Sequence, residues 1–227
     1  MKEYEAALTF WDDFFKKQDP EKLEGTSIGC PYLEEKLKEL VSVHKVLDFG
    51  CGTGWASLYL KQIGCEDLTG IDQATNAIDL AIEATKINGF TEGITFIKGD
   101  DSALESIQSD TYDGFFSSNT LDVIPTDVTT KILAQVNRVC KQNASILIML
   151  NPYLTPELNE KINMEQISQD SYTKNGVLRC VNRSKEEWIH LFENYFTVES
   201  YDEFEFGDEP KGFGRRMFGL RNNVKQV

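Results

Sequence analysis

Val46-Leu47-Asp48-Phe49-Gly50-Cys51-Gly52-Thr53-Gly54 joins a short apolar run to three glycines at alternate positions, with an amphipathic segment behind them. The first half reads as a buried strand, the second as a turn, and residues 53–63 as a helix. Such a turn bares the main chain and the free N–H groups of a helix start, so a small organic ligand can meet the backbone directly. A tight turn with no ligand needs fewer glycines than this. In an open α/β sheet, the carboxyl end of a strand is also where ligands bind.

Working outward, regular alternation extends in both directions from this stretch. Residues 45–49, 68–71, 94–98, 112–117 and 145–150 read as strands, and residues 75–88 and 127–140 as helices between them. Ile78, Ala81, Ile82 and Thr85 fall on one face of the 75–88 helix, which Asn88-Gly89 ends. Short β-branched and aromatic runs alternating with amphipathic helices specify a parallel sheet covered on both faces, and right-handed crossovers make it doubly wound. Two further runs, 197–206 and 215–220, are joined by the turn-rich Gly207-Asp208-Glu209-Pro210-Lys211-Gly212 and predict an antiparallel hairpin at the sheet edge. The expected fold is therefore α/β, a doubly wound, mostly parallel seven-stranded sheet with an antiparallel C-terminal hairpin.

Before the sheet, Tyr4, Leu8, Trp11, Phe14 and Phe15 are spaced as a helix over residues 3–17. A second helix follows Pro31 through Leu33, Leu37, Leu40 and Val41, with residues 24–29 a loop between them. After Asn151-Pro152 the alternation fails. Residues 152–183 are polar and irregular, partly helical near 156–167, and Ser184 then caps a helix holding Trp188, Leu191 and Phe192. This organisation implies a single domain over 1–227: an N-terminal helical cap (1–43), a core (44–150), a variable insertion and helix (151–196) and the C-terminal hairpin (197–227).

The 227 residues, 41% hydrophobic, suffice for one well-packed domain and are few for two. Lys and Arg number 23 against 37 Asp and Glu, and the net charge of −14 argues against nucleic acid as a partner. Cys30, Cys51, Cys65, Cys140 and Cys180 are scattered, and with only His44 and His190 they form no zinc-like spacing, so no metal is expected. They read as reduced, buried thiols of a cytoplasmic protein. The first residues lack an apolar signal core, and no run approaches the roughly 18 apolar residues of a membrane span.

The glycine spacing separates the nucleotide-binding classes. A dinucleotide site needs G-x-G-x-x-G, and Trp55 stands where its last glycine would fall; a phosphate-loop lysine is also missing. Residues 46–54 resemble motif I of the class I S-adenosylmethionine-dependent methyltransferases, whose fold is Rossmann-like. The resemblance implies that Asp48 lies near the methionine amino group and that Gly50, Cys51 and Gly52 line the cofactor. It continues at Gly70-Ile71-Asp72, where Asp72 would hold the ribose hydroxyls and Gln73 would flank the adenine. A carboxylate can accept from two vicinal hydroxyls at once, which is the chemistry a ribose requires. Lys98-Gly99-Asp100-Asp101-Ser102 resembles the family element after the third strand. There Asp100 would accept from the adenine amino group and the main-chain N–H of Asp101 would meet a ring nitrogen. Residues 112–122 resemble the fourth-strand motif, with Ser118 and Asn119 reaching the ligand. Asn151-Pro152-Tyr153 mimics a nitrogen-methylase motif but follows the fifth strand, and reads as a strand-ending turn. The stretch from Arg138 to Asn143 reads as structural. The resemblance covers roughly residues 45–150.

What it implies is a transferase: methylation of a small-molecule acceptor by in-line displacement, with S-adenosyl-L-methionine as cofactor and no metal. Proximity and orientation can supply much of such catalysis, and no catalytic residue is assigned. His44 and His190 read as structural. Tyr4, Trp11 and Phe15 are candidates for a lid over cofactor and substrate, on a helix that also packs on the sheet. Arg215 and Arg216 either face a substrate anion or are solvated at a strand edge. Two other readings stand beside this one: a non-catalytic S-adenosylmethionine-binding regulatory or interaction protein, and a nicotinamide-dependent oxidoreductase, which the glycine spacing disfavours. The sequence names neither the acceptor nor an oligomeric state.

Overall fold

Residues 2–206 and 214–223 are described by the computed structural model. In chain order the elements are α1 (Lys2–Phe15), α2 (Pro31–Lys38), β1 (Lys45–Phe49), α3 (Trp55–Gln62), β2 (Asp67–Asp72), α4 (Thr75–Ile87), β3 (Ile94–Lys98), α5 (Asp101–Glu105) and β4 (Tyr112–Ser118). They continue with α6 (Thr126–Val139), β5 (Cys140–Leu150), α7 (Pro156–Ile162), β6 (Glu165–Gln166), β7 (Ser171–Lys174), β8 (Val177–Val181), α8 (Lys185–Phe192), β9 (Phe196–Phe204) and β10 (Arg215–Asn222).

Seven of these strands form one sheet in the order β3-β2-β1-β4-β5-β10-β9. The first five run parallel, and β10 is antiparallel to both β5 and β9. The strand order reverses between β1 and β4, so the carboxyl ends of those two parallel strands flank the switch point where such folds hold ligands. β1 is buried along four of its five residues because helices cover both faces. On α6, Thr129, Ile132, Leu133, Val136 and Val139 are buried at helical spacing and pack toward the core around Phe115, Ile146 and Phe218. Burying one such Leu or Ile is worth about 1.5–3 kcal/mol. The linker 207–212 lies outside the described residues.

Four expectations need correction. Residues 165–181 are not irregular: β6, β7 and β8 make a separate three-stranded antiparallel sheet. Asn175 and Gly176 both take positive φ (56° and 73°), as a tight hairpin turn demands, and Asn-Gly is a hairpin signal. β7 escaped notice because its buried positions are Ser171 and Thr173 rather than apolar residues, whereas β8 buries Leu178, Cys180 and Val181. On α4 the buried face is Ala77, Ile78, Ala81 and Ala84, and Ile82 is exposed. The helix lies so near the glycine loop that a Cβ on Gly54 would stand 3.2 Å from that of Ala81, so small residues face inward. The short helix α5, begun by Asp100, carries no apolar period to announce it.

The fourth correction concerns Arg216, which is neither solvated nor turned to a substrate. It is buried, donates to the carbonyls of Asn151 (2.8 Å) and Arg183 (2.7 Å), and stands 3.9 Å from the buried Asp122 carboxylate. Asp122 also accepts from the Asn151 main-chain N–H at 2.7 Å, so Asn151 belongs to this internal network. The network ties the ends of β5 and β10 to the insertion. Breaking a buried pair leaves an uncompensated charge. Asp122→Ala should therefore cost about 3–5 kcal/mol in urea denaturation; a loss under about 1 kcal/mol would show that the pair carries no structural weight.

Candidate functional site

The glycine loop leaves β1 and is fastened to β2. The N–H groups of Gly50 and Cys51 both donate to the Ile71 carbonyl (2.8 and 3.1 Å), and the Gly52 N–H donates to Asp72 Oδ2 at 2.9 Å. The Ala74 N–H reaches Asp72 Oδ1, also at 2.9 Å. Gly50 takes φ +71°, and a Cβ there would lie 2.1 Å from Thr120 Oγ1. Backbone conformation and the close approach of the β4 end both require glycine at this position.

Around this loop lies a cavity of about 320 Å³. Gly50, Cys51, Gly52, Asp72, Gln73, Asp100, Asp101, Ser118 and Asn119 all line it, gathered from the carboxyl ends of β1, β2, β3 and β4. Tyr4, Trp11 and Phe15 line its opposite side from α1. Tyr4 stands near Asp100 and Asp101, whose charges together with burial raise its phenol pKa, and Phe15 lies 3.4 Å from where a Gly52 Cβ would sit. One helix thus covers the cavity from the β3 end to the glycine loop.

Two contacts hold α1 there. Asp12 accepts from the Asn76 N–H (2.9 Å) and its carbonyl accepts from Asn76 Nδ2 (3.1 Å), capping α4 from outside. The Arg179 guanidinium on the insertion sits over the rings of Phe10 (4.5 Å) and Trp11 (4.8 Å). Phe10 faces Arg179 and is not part of the cavity wall.

Asp48 is the exception among the expected residues, because it lies outside the cavity lining. It is buried and accepts from Ser57 Oγ at 2.7 Å. Asp100 lines the cavity and also caps α5, its Oδ1 accepting from the Ser102 N–H (2.9 Å) and hydroxyl (2.6 Å). Those bonds hold its carboxyl below the ordinary range, with the Ser102 hydroxyl the largest cause. Burial raises the Asp72 carboxyl, and the Gly52 and Ala74 N–H groups oppose it. His44 pairs with Glu66 at the other end of β1, and His190 is exposed on α8.

Sequence reasoning passed over Trp55, Thr120, Val123, Ile124, Val128 and Ile132, which complete the wall. The signal available was Val123-Ile124, an apolar pair in a loop directly after the fourth strand. Asn119 also holds an unusual backbone, φ +53°, and its Oδ1 is buried without a hydrogen-bond partner. An unpaired buried amide oxygen in a cavity wall suits a ligand that carries a donor. The residues present fit the group implied for them: bare main chain at the glycines, carboxylates at two strand ends, and an apolar wall opposite.

The family described as "Methyltransferase domain" matches residues 46–143, the span from β1 into β5. Residues 46–143 are thus similar to a methyltransferase domain. Protein arginine N-methyltransferase 1 of Saccharomyces cerevisiae is 37% identical over 62 residues, which make up 27% of this chain and 18% of the yeast protein. The fold is shared with a SAM-dependent methyltransferase from Methanosarcina mazei at TM-score 0.71, 21% identity, 84% of this chain and 98% of that one. It is shared, too, with a structure described as the conversion of a disulfide bond into a thioacetal group during echinomycin biosynthesis. That match has TM-score 0.69 and 21% identity, and covers 98% of this chain and 93% of the other. Among the described residues no helix is long and apolar enough to cross a membrane.

The electrostatics of this domain make one testable statement. Burial pushes the Asp48 carboxyl up to about 7, with the Ser57 hydrogen bond opposing and the Asp72 charge adding to it. A carboxyl whose pKa is higher in the folded chain keeps a proton that the unfolded chain has lost, so its contribution to stability falls as pH rises from about 4 to about 7. Asp48→Asn retains an acceptor for Ser57 and should melt at about the parent temperature near pH 4, and progressively above it towards pH 8. A melting difference independent of pH would refute this assignment.

Proposed function

We propose that the protein transfers the methyl group of S-adenosylmethionine to a small-molecule acceptor by in-line displacement. The observation that carries this reading is the pair of carboxylates, Asp72 and Asp100, ending adjacent strands on one side of a cavity whose other wall is bare glycine backbone. Each Asp72 oxygen already accepts one N–H and, with two lone pairs, keeps capacity for a ribose hydroxyl. Asp100 and the main chain of Asp101 take the adenine edge, and Gln73 flanks it. The glycine loop with Ser118 and Asn119 takes the methionine side.

When bound, the cofactor supplies an electrophilic methyl group on a positively charged sulfur. The chain's own residues hold and orient it, and α1 keeps water out. Tyr4, Trp11 and Phe15 give the cavity an aromatic wall. The yeast relative is named for protein arginine, and the echinomycin structure for a disulfide bond. Their acceptors differ, so the chemistry of this chain's own cavities has to choose.

Calorimetric titration with S-adenosylmethionine and S-adenosylhomocysteine tests the cofactor reading, and no binding of either at about 1 mM would overturn it. Asp72→Ala should weaken S-adenosylhomocysteine by about ten- to a hundredfold, the worth of hydrogen bonds to a charged group. Arg179→Ala, which frees α1 without touching the cavity, should speed dissociation of S-adenosylhomocysteine several-fold in stopped-flow measurements. Transfer of labelled methyl to any compound in a metabolite extract would separate an enzyme from a cofactor-binding regulator.

A further inference from the structure

A second cavity, of about 570 Å³, adjoins the first and shares Trp55, Ser118 and Asn119 with it. The strand register shows how it runs. Ser118 on β4 pairs with Met149 on β5, and Met149 pairs with Met217 on β10, so the three side chains share one face of the sheet. Arg215 stands two residues before Met217 on β10 and therefore points to that face as well. Two strand spacings, about 10 Å, separate β4 from β10. The cavity thus extends from its junction with the first, across Met149, to Arg215, whose guanidinium lies 5.5 Å from the centre of the Phe206 ring.

The remaining wall comes from the segment between α1 and α2, where Leu23 and Ile28 add apolar surface and Glu21, Lys22 and Glu24 add charges. This segment has no regular structure, yet side chains pin it. The Leu23 N–H donates to Asn88 Oδ1 (2.9 Å), Asn88 Nδ2 donates to the Glu21 carbonyl (2.8 Å), and Gln62 Nε2 donates to the Gly25 carbonyl (2.8 Å). Its charges are therefore held beside the cavity rather than carried on a loose loop. With Arg215 they make two cationic and two anionic groups around an apolar body.

That balance selects by charge. A ligand with one charge of either sign is attracted by two of these groups and repelled by the other two, and a neutral ligand gains from none. A ligand carrying both an ammonium and a carboxylate can set each beside its counter-charge. Arg215 has five N–H donors, so it can serve a carboxylate while keeping the contacts it already makes. At the other end, Asn119 Oδ1 is buried without a hydrogen-bond partner, on a residue that borders both cavities. A carbonyl oxygen has two lone pairs, so it can accept from the cofactor and from an N–H or O–H of a neighbouring ligand.

We propose that the second cavity is the acceptor site and that its substrate is a zwitterion of amino-acid type. Its ammonium and carboxylate sit at the charged rim, and its apolar body lies along Met149 and Phe206. An N–H or O–H group at the far end meets Asn119. The assignment rests on the methyl-transfer reading above. A lone pair of that nitrogen or oxygen forms the new bond to the methyl carbon as the carbon–sulfur pair withdraws onto the donor sulfur. The acceptor's proton is released to water, so the sulfonium becomes a neutral thioether and the acceptor exchanges its proton for methyl.

The test uses the full chain and four anilines that differ in the group opposite the nitrogen: para-aminophenylalanine, para-aminophenylpropanoate, para-aminophenylethylamine and para-ethylaniline. Calorimetry measures the binding of each, and of tyrosine, to the complex with S-adenosylhomocysteine, and mass spectrometry follows their methylation by S-adenosylmethionine. Para-aminophenylalanine should bind about three- to tenfold more tightly than the other anilines, the scale of partly exposed ion pairs. That margin should shrink as salt is raised to about 1 M. Arg215→Gln should weaken the two carboxylate-bearing anilines by a similar factor and not the ethylamine. Glu21→Gln combined with Glu24→Gln should weaken the two ammonium-bearing anilines and not the propanoate. The zwitterion assignment is overturned if a singly charged or neutral aniline binds as tightly as para-aminophenylalanine, if neither charge variant alters the order, or if S-adenosylhomocysteine binds and none of the compounds does. Binding of para-aminophenylalanine and tyrosine with methylation of neither would overturn the acceptor role. Failure of S-adenosylhomocysteine to bind would overturn the underlying methyl-transfer reading instead.

Discussion

The main chain of residues 50–54 is pressed between the ends of β2 and β4, and the site depends on that closeness. Gly50, Gly52 and Gly54 all take positive φ, and a Cβ on the first would overlap Thr120 while one on the last would overlap Phe96, 2.6 Å away. Hydrogen bonds from Gly50 and Cys51 to Ile71, and from Gly52 to Asp72, fix the loop on the neighbouring strand. The same carboxylate that anchors the loop faces the cavity. Loop position and the placement of Asp72 on the cavity are therefore one constraint, and a side chain at Gly50 would disturb both.

The rest of the molecule keeps that loop covered. α1 lies across the cavity because its Asp12 caps α4 and its aromatic face meets Arg179. Arg179 is on β8, so the small sheet of the insertion positions the cover. The insertion in turn is held by Arg216, buried between Asn151, Arg183 and Asp122. A chain of contacts thus leads from β10 through the insertion to α1 and the ligand cavity.

Much of the sheet was legible because each strand is a short apolar run ended by turn residues, and their carboxyl ends alternate with amphipathic helices. The residues expected at the cofactor lie together around one cavity for the same reason, since every one of them ends a strand or begins the turn after it. Asp48 is different. It stands one residue before the end of β1, where the side chain points into the core toward Ser57. Strand β7 of the insertion was illegible because Ser171 and Thr173 occupy its buried positions, and polarity there hides a period of two. Arg216 was misjudged since a charged residue on a late strand is ordinarily solvated, and its partners come from residues 122, 151 and 183.

The sequence by itself determined the parallel sheet, the glycine turn and the acids at the strand ends, because these follow from patterns within ten or so neighbouring residues. Only the tertiary structure decided that α1 closes the cavity and that Arg216 is internal. It alone brought a second cavity, lined by apolar and charged residues together, to Trp55, Ser118 and Asn119. Those facts require segments distant along the chain, residues 21–28 with 206 and 215, or 12 with 76, to meet in space. Local propensity carries no record of such meetings.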